Sequence, residues 1–113
     1  MSLTLSAWEL TARMSPRGVV RASAVDAGGR PVNAYPRVHP IDGRVPLTPW
    51  AVHLTDPAGR FRLLCVDLDA KVSASAAEQD AHLLTKLLAE HGVPFVECLS
   101  GPTGGRHVWL GLC

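Results

Sequence analysis

The chain has 113 residues, a formal charge of +1 at pH 7 and only six aromatic side chains, three Trp, two Phe and one Tyr. That length suits one domain, 1–113, whose core rests on Leu, Val and Ala. The near-zero charge excludes a surface that grips phosphate along its whole extent, so any nucleic-acid contact is local. No run approaches the roughly 20 apolar residues that span a bilayer, and Met1–Leu10 lacks a basic flank with an apolar core. A soluble cytoplasmic protein without membrane contact is expected. Cys65, Cys98 and Cys113 are odd in number, sit in apolar surroundings and show no metal-ligand spacing, as reduced thiols do.

The first element is a short helix over about Ala7–Met14. Ser6-Ala7-Trp8-Glu9 has the form of a capping box, Leu5, Trp8 and Ala12 share a face, and Pro16 ends the turn. Residues 15–49 hold six of the nine prolines and the Gly28-Gly29 pair. Long regular elements are not expected there. Val19–Val25 reads as a strand with Asp26–Gly29 as the turn after it, and the rest as a wrapping loop or arm. Trp50–Leu54 and Gly59–Leu68 are β-rich runs on either side of Asp56-Pro57-Ala58-Gly59, a type I turn sequence, so a hairpin is expected.

Ser75-Ala76-Ala77-Glu78 repeats the capping-box form, and Ala81, Leu84, Leu87 and Leu88 recur at helical spacing. His91, Gly92 and Pro94 mark the end of a helix over about 76–91. A strand over Pro94–Leu99, a Gly-rich loop and a strand over His107–Leu112 complete the chain. His107 and Trp109 share one face of that last strand, Val108 and Leu110 the other. The fold class is α+β: a two-layer sandwich with a mixed sheet and flanking helices. His39, His53, His82 and His91 fall in no ligand pattern and read as surface or capping residues.

Two stretches carry chemistry. Phe61–Val66 is an apolar run that reads as a strand buried on both faces, and it leads into Asp67-Leu68-Asp69. Alternation along a strand puts the two carboxylates on one face about 6.6 Å apart, at roughly 3.3 Å per residue. Paired acids beside a core call for a cation, and hard oxygen donors suit Mg²⁺ or Mn²⁺; acids that mark a turn at a strand end are the plainer alternative. The second stretch is Ser100-Gly101-Pro102-Thr103-Gly104-Gly105-Arg106-His107. Its glycines let backbone N–H groups converge on an anion, Ser100 and Thr103 add hydroxyls, and the Arg106 fork matches phosphate. A hairpin turn with structural glycines is again the alternative.

Together, Val66-Asp67-Leu68-Asp69 and Ser100–Trp109 resemble the first and second motifs of the archaeo-eukaryotic primase (primase-polymerase) superfamily, in the form found in actinobacterial phages, plasmids and their hosts. The resemblance covers 50–112. It implies a DNA primase/polymerase that transfers nucleotides from an NTP or dNTP on a DNA template. Asp67 and Asp69 would be catalytic metal ligands for Mg²⁺ or Mn²⁺, and Ser100, Gly104, Gly105, Arg106 and His107 would bind the nucleotide. Lys71 lies near enough to the acids to touch a phosphate. The family also has a third acidic motif after the second, and no acid follows Glu97 in this sequence. The resemblance therefore implies either the amino-terminal half of a catalytic domain, completed by a carboxy-terminal segment or second polypeptide, or a reduced relative that has lost catalysis. An apolar strand over Leu110–Cys113 with an unpaired edge is expected to take such a partner. The rivals are a non-catalytic replication accessory of the same fold and a metal-dependent nuclease, for which a triphosphate cradle has little use.

Overall fold

The computed structural model describes residues 5–112. Among the described residues, helices and antiparallel sheets make a small α+β fold of two three-stranded sheets and two helices, in two compact units, Met1–Arg60 and Phe61–Cys113.

In the first unit, helix α1 (Ala7–Met14) has the bounds the sequence implies. Ser6 Oγ accepts from Glu9 N and the Glu9 carboxylate accepts from Ser6 N, so both halves of the capping box form. Strand β1 (Val19–Ala22) lies between β2 (Arg37–Pro40) and β3 (Trp50–Ala51), both antiparallel to it. β2 replaces part of the expected arm. Pro36 and Pro40 disguise it in the sequence, and an edge strand tolerates them because its outer side makes no ladder bond. β1 is shorter than expected, with Val25 joined to Pro31 only by an isolated bridge. Trp8 anchors the helix: its ring meets His39 and Trp50 edge-on at 5.6 and 5.2 Å, and its Nε1 donates to Asp42 O. Trp50 Nε1 donates to Thr11 Oγ1. Val20 is fully buried beneath.

Two turns in this unit share one device. Asp26 Oδ1 accepts from Gly28 N and Arg30 N; Asp56 Oδ1 accepts from Ala58 N and Arg60 N. Each closes with a left-handed glycine, Gly29 at φ +78° and Gly59 at φ +82°. The second is the predicted turn, but the expected hairpin is not formed: Trp50–Ala51 pairs with β1, while the run after Gly59 enters the other sheet.

In the second unit, β4 (Leu63–Leu68), α2 (Ala74–Glu90), β5 (Val96–Leu99) and β6 (Arg106–Gly111) form a sheet of order β4-β6-β5. Both pairings are antiparallel rather than mixed, so β4 and β5 run parallel on either side of β6, joined through α2. This is a split β-α-β unit. β6 is the central strand, with β4 and β5 outside it, so the last strand is not the edge of the sheet; beyond Trp109 it pairs with β4 alone, and Cys113 lies outside the described residues. Nor is β4 buried on both faces. Phe61 and Leu64, which alternation puts on opposite faces, are 63% and 47% exposed. Val108, Ala77 and Ala81 are buried, the two alanines allowing close helix approach. α2 starts earlier than expected: Ser73 is the N-cap, its Oγ accepting from Ala76 N. At the far end the His91 ring meets Leu87 O at 2.9 Å, and Gly92 takes φ +67°.

The turns generate a stability comparison. Asp56 is buried and also holds Arg60 Nε at 3.2 Å, whereas Asp26 is exposed. Asp56→Ala is expected to cost about 1–3 kcal/mol and Asp26→Ala about 1 kcal/mol or less, read from urea unfolding. Equal losses would contradict the assigned role of burial.

Candidate functional site

Register places the candidate groups. Asp67 on β4 pairs with His107 on β6, which pairs with Cys98 on β5. Directly opposed residues share a face, so these three form a row across the sheet, with Cys65, Trp109 and Val96 in the next row. His107 Nε2 lies 3.4 Å from Asp67 Oδ1, and Trp109 meets the imidazole edge-on at 6.0 Å. The acid is 68% exposed and the imidazole 34%. Such an exposed pair is worth at most about 1 kcal/mol. Its consequence is positional: it brings one residue of each motif into contact.

Asp69 behaves differently from the expectation. β4 ends at Leu68, and alternation along a strand fixes nothing beyond it. The Asp69 carboxylate instead turns back, Oδ1 accepting from Lys71 N at 2.9 Å and Oδ2 lying 3.7 Å from Lys71 Nζ. An aspartate at a strand end competes well for a backbone N–H two residues on. The two acids are therefore one residue apart in the chain but not held on one extended strand. Lys71 partners Asp69.

The Gly-rich stretch closes the β5–β6 hairpin, with Ser100 N donating to Gly105 O. Gly104 takes φ +95°, and a Cβ there would lie 3.0 Å from Ala74 Cβ, in the first turn of α2. Gly105 is buried, and a Cβ on it would collide with Ser100 Oγ and lie 3.4 Å from Leu68 O. Arg106 Nη1 donates to Gly104 O at 3.1 Å, folding the guanidinium over its own loop. The loop thus sits between the end of β4 and the start of α2. The sequence did not point to that helix start, because Ser75–Glu78 has the fuller capping pattern while Ser73 lacks a Glu three residues later. No acid lies in the first turn of α2, so its partial positive charge is uncompensated by its own side chains.

Cys65 and Cys98 are free. Burial first, then the Asp67 carboxylate and Cys98, push the Cys65 thiol above its ordinary pKa; burial and Glu97 do the same to Cys98. Both stay protonated at neutral pH. Among the described residues no group of three His, Cys, Asp or Glu side chains is arranged to hold a metal ion. Asp67 and Asp69 are nonetheless exposed hard-oxygen donors, which suit a cation bound by one or two carboxylates with water and substrate phosphates completing its shell. No helix among the described residues is long and apolar enough to cross a membrane. No family model, curated protein or solved structure matches the chain.

The loop packing is testable. Gly105→Ala is expected to destabilise the chain by about 1–3 kcal/mol through overpacking, and Ser100→Gly to recover most of that in the double variant. Thermal denaturation with additive losses would show that Ser100 is not the obstacle.

Proposed function

We propose that the chain carries the acidic and phosphate-binding half of a nucleotidyl-transfer site, that of a DNA primase-polymerase using NTPs or dNTPs on a DNA template. One observation carries the reading: the Asp67–His107 contact of 3.4 Å, which joins the D-x-D motif to the Gly-rich motif at one end of a sheet. The Gly104 backbone beside the first turn of α2 adds a second, since a glycine-rich loop at a helix N-terminus attracts phosphate.

Asp67 and Asp69 would hold Mg²⁺ or Mn²⁺, and the ion when bound supplies activation of a 3′-hydroxyl and neutralisation of leaving pyrophosphate. The remaining work falls to the chain's own groups. His107 donates to a phosphate oxygen from one side while Asp67 orients its ring. Arg106 exchanges its Gly104 carbonyl for phosphate oxygens, a stronger charge-assisted partner. The Ser100 hydroxyl and loop N–H groups hold the triphosphate in line with the attacking oxygen. A third carboxylate comes from a further segment or a second polypeptide. The second reading, a non-catalytic replication accessory of the same fold, draws on the turn that Asp69 makes with Lys71.

Calorimetric titration of ATP and dATP separates the two. Binding is expected to need Mn²⁺, to be lost when Asp67→Ala and Asp69→Ala are combined, and to weaken about tenfold, or 1.4 kcal/mol, in His107→Ala. Binding indifferent to metal and to these substitutions would contradict the nucleotidyl-transfer reading; no binding at all would favour the accessory.

A further inference from the structure

A groove of about 690 Å³ in the first unit runs between β2 and the segment 44–48 that doubles back beside it. The two walls are tied where His39 Nε2 meets Arg44 O at 2.7 Å. Arg37 and Val38 belong to the β2 wall, and Arg44, Val45, Pro46 and Leu47 to the facing segment. Arg37, Val38, Val45 and Leu47 are exposed, Leu47 completely. No carboxylate lines the groove. The one nearby is Asp42, whose exposed ion pair with Arg44 at 3.5 Å is weak enough to yield to a ligand.

Charge agrees with this shape. Residues 1–60 contain seven arginines against four acids, a formal +3 with no lysine. Arginine is the cation suited to forked recognition of carboxylates. Pro40 denies β2 a backbone donor on its outer side, so the groove offers side-chain pockets rather than strand addition. Its lining is mainly aliphatic and its one ring, His39, is engaged by Trp8 and Arg44 O, which suits it poorly to stacking nucleic-acid bases.

We infer that this groove docks a short extended peptide of a partner protein, with acidic side chains on Arg37 and Arg44 and aliphatic side chains between them against Val45 and Leu47. None of Asp67, His107 or the Gly-rich loop lines this groove, and the inference stands without the nucleotide reading.

The test is fluorescence anisotropy with a blocked, fluorescein-labelled aspartate-leucine-leucine-aspartate peptide and the whole chain. Saturable binding is expected, weakened at least tenfold by Arg37→Glu and by Leu47→Ser, and at least tenfold weaker for a peptide with lysines in place of the aspartates. Arg37 and Leu47 are exposed, so both variants keep the wild-type circular dichroism spectrum. Binding unchanged in both variants would overturn the inference. So would equal affinity for the lysine peptide, stronger Arg37-dependent binding of oligothymidylate, or a dimer in sedimentation that Arg37→Glu dissolves.

Discussion

The register of β4 against β6 is the constraint on which the second unit depends. It sets Asp67 opposite His107 on one face and Val66 opposite Val108 on the other. Burial of Val108 holds that register, because a one-residue slip would carry Val108 to the open face and His107 into the core. The cross-strand contact at 3.4 Å is therefore fixed by apolar packing behind it rather than by its own weak attraction. A functional pair thus inherits its precision from the core.

The Gly-rich loop follows from the same register. β6 lies between β4 and β5, so the β5–β6 turn must close beside the end of β4, where Leu68 O lies against Gly105. Side chains at Gly104 or Gly105 would strike Ala74 or Ser100, and their absence lets the backbone fill the corner between β4 and α2. Close packing and an approachable backbone are two consequences of one choice of residue. The acids, the imidazole, the guanidinium and the helix N-terminus consequently gather at one end of the sheet.

Much of this was legible where a single local rule decides. The box at Ser6–Glu9 and the Asp56–Gly59 turn depend on residues within a few positions, and both form as their sequences imply. The α+β class and the shared face of His107 and Trp109 follow from periodicity in the same way. Tertiary choices were less legible. Whether Trp50–Ala51 would pair with β1 or with the strand after Gly59 depends on partners distant in the chain, and a turn sequence cannot select among them. β2 was hidden by prolines that only an edge position accommodates. β6 read as an edge because it is last in sequence, although insertion between two parallel strands makes it central. At the candidate site, alternation gave Asp67 its face but not Asp69, whose backbone leaves the strand one residue too soon.

The central claim is that phosphate and metal meet at the end of β4 and β6. Amide NMR of the whole chain titrated with ATP and substoichiometric Mn²⁺ tests it most directly, since paramagnetic broadening reports distance from the ion. The account predicts that, within the second unit, broadening is strongest at residues 66–71 and 100–108 while the far end of α2, 88–90, stays sharp. Broadening centred elsewhere, or unchanged spectra, would contradict it.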